Sequence, residues 1–119
     1  MTRTLINSNM IERELSTAFY QTANAIPYAT AVTPNLALGN IFTTTMTGDM
    51  TLNNVSPVGN SSYFYYITMD GTGGYTFALA SNWNLISGAF DPTPNAVNIL
   101  NFLTFVGQSG IQLFINQRP

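Results

Sequence analysis

The chain has 119 residues, of which 45% are hydrophobic and only 7% charged, with a formal net charge of −2. That length holds one domain with a short appendage, and the absence of cysteine and histidine removes disulfides, thiol nucleophiles, haem ligation through histidine and zinc sites built on either residue. Arg3, Arg13 and Arg118 are the whole basic complement, with no lysine, so there is no footprint for a phosphate backbone and nucleic acid is excluded as a partner.

Ordinary globular domains carry about 25% charged residues. Here threonine and asparagine supply the polarity instead. A surface with so little charge is poorly protected against association, and the expectation is that much of it lies inside an assembly. No run approaches the 18 or so apolar residues that span a membrane, so no membrane insertion is expected. The N-terminal MTRTLINSNMIEREL lacks the uninterrupted apolar segment of a signal peptide. The chain reads as made and assembled in a cytoplasm.

Asn9 and Glu12 have the spacing of a capping box ahead of Ile11, Leu15, Ala18 and Phe19 at helical spacing. A short amphipathic helix over residues 9–20 follows. It either packs on its own domain or serves as an arm that docks on a neighbouring subunit or a larger particle. Pro27 and Pro34 then bracket a loop. From Ile41 the pattern changes to period two: a strand over 41–46, a turn at 47–49 and a returning strand over 50–55. Two aromatic, β-branched runs, 63–69 and 75–79, flank the turn Asp70-Gly71-Thr72-Gly73-Gly74 and read as a central hairpin. Trp83 sits in an irregular connection. The runs 97–106 and 111–115 predict a second hairpin.

Strands at roughly 8–12-residue spacing with turns between them predict an all-β fold, a small antiparallel, jelly-roll-like β-sandwich. Several strands have two apolar faces. Tyr63, Tyr65, Ile67 and Met69 oppose Phe64 and Tyr66, and Val97, Ile99, Leu103 and Phe105 oppose Leu100, Phe102 and Val106. A lone sandwich needs one such face per strand. The second is expected to be covered by the N-terminal segment or, better matched in size, by another subunit.

No catalytic, cofactor-binding or metal-ligating residues are assigned. The glycines at 71–74 lack the following helix and the lysine of a phosphate-binding loop. Asp49, Asp70 and Asp91 offer carboxylates for glycoside hydrolysis or calcium, but each sits in a turn where aspartate bonds its own backbone. Tyr63, Tyr65, Tyr66, Tyr75, Trp83 and Phe102 are candidates for a subunit interface or for stacking against a sugar, beside the simpler reading that they fill the core.

The order Leu36-Ala37-Leu38-Gly39-Asn40-Ile41-Phe42, Thr47-Gly48, Thr51-Leu52, Asp70-Gly71-Thr72-Gly73-Gly74, Trp83 and the closing Ala96-Val97-Asn98-Ile99-Leu100-Asn101-Phe102 resembles a module of bacteriophage tail fibres and related virion proteins. Tyr75 stands where that family often has a basic residue, and Asn98 where it usually has aspartate. The resemblance implies a non-enzymatic structural protein of the virion, a homotrimeric fibre or decoration on the capsid or tail. Its domain would span 32–119. An arm over 1–31, led by Ile11, Leu15 and Phe19, would join it to other virion proteins. The alternatives are an adhesin that binds host surface glycan through its aromatics and, third, a polysaccharide depolymerase.

Overall fold

A computed structural model describes residues 22–108 and 110–118. The helix expected over 9–20, with Ile11, Leu15 and Phe19, lies outside them. Nine strands form two sheets: β1 (Asn24–Ala25), β2 (Ala31–Val32), β3 (Ile41–Met46), β4 (Met50–Leu52), β5 (Ser61–Met69), β6 (Phe77–Leu79), β7 (Trp83–Ser87), β8 (Val97–Thr104) and β9 (Ile111–Gln117). Among the described residues a single 3-10 turn, Leu36–Leu38, precedes β3, capped by the Asn35 side chain on the Ala37 amide.

Strand order in the large sheet is β1-β3-β5-β8-β9-β7 and in the small one β2-β4-β6. β1, β3 and β5 pair in parallel, as do β2, β4 and β6. The chain therefore runs along one sheet, turns a corner, runs along the other and returns one rung higher. This is a β-solenoid of about four turns. β8 and β9 close it as an antiparallel hairpin inserted between β5 and β7, and β9 pairs with β7 in parallel.

That architecture corrects the antiparallel, jelly-roll-like sandwich. The strands expected at 41–46 and 63–69 exist and the closing hairpin is present, but the central one is not a hairpin. β5 pairs with β3 and β8, while β6 lies in the other sheet beside β4. The turn at 47–49 is likewise a corner, carrying the chain from β3 to β4. Alternation of apolar and polar residues reports that a segment is a strand and which side chains share a face. It does not report the partner strand.

The inward residues stack in rows across the large sheet. Register puts Phe42 beside Tyr65, Tyr65 beside Leu100 and Leu100 beside Ile115, all buried. A second row joins Tyr63, Phe102 and Leu113, with the Tyr63 and Phe102 rings stacked at 5.0 Å. Val32, Leu52 and Leu79 form the corresponding row of the small sheet. One buried polar link crosses three rungs: the Tyr65 hydroxyl lies 2.5 Å from the Thr44 hydroxyl, which donates to the Ile26 carbonyl at 2.8 Å. Burial raises the pKa of Tyr65, so its hydroxyl stays protonated and donates to Thr44.

The corner at 70–74 shows why this reversal differs from a hairpin turn. Gly73 adopts φ +63°, and a Cβ there would lie 2.6 Å from the Pro94 nitrogen and 2.8 Å from the Pro92 carbonyl oxygen. The corner is thus pressed against the loop that leads into β8, and the Gly74 amide donates to Pro92 at 2.7 Å. Gly73→Ala should cost about 1–3 kcal/mol through backbone strain and the forced displacement of that loop. Gly71→Ala, with nothing within 4 Å of its added Cβ, should stay within about 0.5 kcal/mol of the parent. Urea unfolding followed by circular dichroism separates the two variants.

Candidate functional site

Most of the aromatics singled out from sequence point inward. Tyr63, Tyr65, Trp83 and Phe102 are buried. Trp83 packs edge-on against Phe102 at 4.9 Å, and its indole N–H donates to the Asn53 carbonyl at 2.9 Å. That bond ties the start of β7 to the loop after β4. Tyr75 is half-buried on the corner, with its hydroxyl donating to Asp70 at 2.9 Å. Of the six, Tyr66 alone stands at an outward position of the large sheet.

Outward positions of that sheet form a continuous surface. Ile41 lies beside Phe64, Phe64 beside Asn101 and Asn101 beside Phe114; Thr43 lies beside Tyr66, Tyr66 beside Ile99 and Ile99 beside Asn116; Thr45 lies beside Thr68 and Thr68 beside Val97. None of these side chains is charged. Phe64 is 42% exposed, and Ile41, Tyr66, Ile99 and Phe114 are partly so. The two-faced patterning seen in the sequence therefore has a structural meaning: one face fills the solenoid and the other remains on its outside. The pairing partners across this surface were missed because they are set by rung register between segments far apart in sequence.

The three described aspartates are turn and corner fasteners. An Asp49 carboxylate oxygen accepts from the Thr76 amide at 2.9 Å, linking one corner to the next rung's corner. Asp91 accepts from the Thr93 amide at 3.0 Å. Asp70 accepts from the amides of Thr72 at 2.9 Å and Gly73 at 3.0 Å on one oxygen, and from Tyr75 on the other. Among the described residues no group of three or more His, Cys, Asp or Glu could hold a metal ion. No described helix is long and apolar enough to cross a membrane.

These donors set two titrations in opposite directions. The Gly73 amide is the largest influence on Asp70 and, with Tyr75 and Thr72, holds its carboxyl below the usual range despite partial desolvation. The hydrogen bond to Asp70, followed by desolvation, raises Tyr75 above its usual value. A carboxylate depressed on folding adds stability above its unfolded-state pKa and loses it as pH falls through the folded value. A phenol raised on folding adds stability below its unfolded-state pKa and loses it as pH rises through the folded value. Asp70→Asn should therefore flatten the acid limb of a stability profile below about pH 4, and Tyr75→Phe the alkaline limb above about pH 10. Thermal melts across pH read both.

Asn98 occupies an inward position of β8 and is fully buried. Its amide donates to the Asp91 carbonyl at 2.9 Å, and its oxygen accepts from the Asp91 amide at 2.8 Å and from Gln117 at 2.9 Å. A carboxylate cannot make the first of these bonds and would bury a charge. Asn98→Asp should cost about 2–4 kcal/mol, measured by urea unfolding at neutral pH, with partial recovery at a pH that protonates the new carboxyl.

Two concavities accompany this surface. One, of about 360 Å³, lies along β3 and β5 beneath residues 25–28, lined among others by Pro27, Tyr28, Thr43, Thr45, Tyr66 and Thr68. The other, of about 300 Å³, is lined by the 91–97 loop together with Gln117 and Arg118. A family model described as "Putative phage tail fibre C-terminal domain" matches residues 27–110. Searches of curated proteins and of solved structures returned no match.

Proposed function

The chain belongs to the phage tail-fibre C-terminal domain family, and from that premise we propose that it acts as a non-enzymatic structural module, self-associated as a homotrimer through the outer face of its large sheet. A structural role in the phage virion follows from the family itself. The observation that carries the self-association is the row Ile41–Phe64–Asn101–Phe114, flanked by Ile99, in which no side chain is charged. A surface that meets copies of itself around an axis must tolerate its own residues in opposition. Charged positions would repel across such a contact, and an uncharged apolar face does not. Three copies are the number that the fibre resemblance implies.

The absence of enzymatic activity is supported by how the carboxylates are used. Asp49, Asp70 and Asp91 each accept backbone amides at turns and corners, a role that needs a fixed acceptor. Attachment to other virion proteins through the segment before residue 22, where Ile11, Leu15 and Phe19 share helical spacing, belongs to the same proposal.

Mass photometry or light scattering of the full chain should give three times the 13.0 kDa chain mass. Phe64→Glu, which puts a charge in the middle of the exposed row, should return the mass to one chain with an unchanged circular dichroism spectrum. A parent chain that is monomeric at micromolar concentration overturns the proposal.

A further inference from the structure

Charge is scarce in this chain, and where it occurs is uneven. Of the three arginines and five acidic residues, Arg3, Glu12, Arg13 and Glu14 precede residue 22, which leaves Asp49, Asp70, Asp91 and Arg118. Asp49 and Asp70 fasten corners. Asp91 and Arg118, of opposite sign, both line the concavity of about 300 Å³ beside the 91–97 loop, together with Thr93, Asn95 and Gln117. One Asp91 carboxylate oxygen accepts from the Thr93 amide at 3.0 Å; among the described residues neither its second oxygen nor the Arg118 guanidinium has a hydrogen-bond partner. The backbone beneath these two groups is held firmly. The buried Asn98 side chain binds both the N–H and the carbonyl of Asp91, and Gln117 donates to the Asn98 oxygen at 2.9 Å and to the Ala89 carbonyl at 2.6 Å. The Asn95 amide donates to the Asp70 carbonyl at 3.0 Å, and the Arg118 amide to the Val97 carbonyl at 3.0 Å.

The backbone of this pocket is therefore built before any ligand arrives, which lowers the ordering cost of binding. Its volume is at the small end of the range for ligand sites, about 300–1,000 Å³. Its two charges decide what fits. An anion would gain Arg118 and meet the like charge of Asp91 in the same small space, and a cation would gain Asp91 and meet Arg118. An uncharged ligand would use neither. A ligand that carries both an ammonium and an anionic oxygen pair satisfies both groups at once: the guanidinium fork suits a carboxylate or a phosphate, and the second Asp91 oxygen accepts from the ammonium. The Thr93 hydroxyl and the Asn95 amide, which donate and accept, serve the uncharged part between them. We propose that this pocket binds a small zwitterion, with Arg118 on its anionic end and Asp91 on its ammonium.

This goes beyond the structural role. The pocket lies at the start of β8 and makes no use of the apolar row at 41, 64 and 114, so the outcome is independent of the assembly. The full chain would be titrated with two zwitterions, the amino acid L-glutamine and O-phosphoethanolamine, and with the singly charged propionate and ethylammonium, with binding followed by ligand-observed NMR. Binding of at least one zwitterion in the millimolar range is expected, and the two probes distinguish a carboxylate from a phosphate as the anionic end. Each singly charged compound should bind about tenfold more weakly, the loss expected when one charge-assisted hydrogen-bonded contact is removed. Arg118→Gln and Asp91→Asn should each weaken the zwitterion by a similar factor while keeping the parent's mass and melting profile. Asparagine can still accept from the Thr93 amide, and the Arg118 side chain is exposed, so neither change removes a fold contact. No binding of either zwitterion overturns the proposal. So does a zwitterion that binds no better than the singly charged compounds, or binding that Arg118→Gln leaves intact.

Discussion

Everything in this fold depends on side chains stacking at the same position of successive rungs. Once Phe42 faces inward, parallel register puts Tyr65 above it, and the hairpin continues the row with Leu100 and Ile115. Each rung is too thin to bury its own apolar residues. The neighbour above or below does so, and stability is then roughly a sum over contacts between adjacent rungs. The Tyr65–Thr44–Ile26 link shows the same logic for polar groups, because its hydroxyls are satisfied only when three consecutive rungs are in register. A slip of one residue would turn every inward side chain outward and break that link as well.

The low charge has a related cause. Corners are where a solenoid exposes or strands backbone polar groups, and here asparagine is the residue that closes them. Asn24 donates to the Leu38 and Ile41 carbonyls, and Asn40 to the Ser62 carbonyl. Along the other edge, Asn54 accepts from the Asn82 amide, while Asn82 donates to the Val55 carbonyl. A side chain that both donates and accepts without a charge can be repeated rung upon rung, whereas stacked like charges would repel. The excess of asparagine and threonine is in this sense a property of the architecture.

The sequence made strand positions and faces legible and left pairing illegible. Period-two alternation found β3, β5 and β8, and the short connection between β8 and β9 identified their hairpin because its pairing is local. It failed at residues 70–74, where aspartate and glycines signal a reversal of the chain but not its angle. The Asp70 bonds to Thr72 and Gly73 and the contact of Gly73 with Pro92 and Pro94 make that reversal a corner between sheets. The partner of Phe64 is Ile41, a pairing no turn announces. Trp83 was legible as a core candidate but not as the start of a strand, since its asparagine-rich neighbours resemble a surface loop. The outward apolar positions were legible as a second face. Their division into an apolar end and a hydroxyl-lined end became visible only when β1, β3 and β5 were set side by side.

That division follows from how parallel strands stack. Ile41 opens β3 and its neighbour Phe64 lies in the first half of β5, while Thr45 and Thr68 lie near the ends of the same strands. In a solenoid the start-to-end direction is the same for every parallel rung, so a preference at one position repeats as a stripe across the sheet. β8 runs the other way and interrupts both stripes, since its outward Val97 meets Thr68 and its Asn101 meets Phe64. Parallel stacking thus converts a short alternation within each strand into bands that cross β3 and β5. An apolar band thus lies beside a hydroxyl band on the outside of β3 and β5, over core rows that continue beneath both.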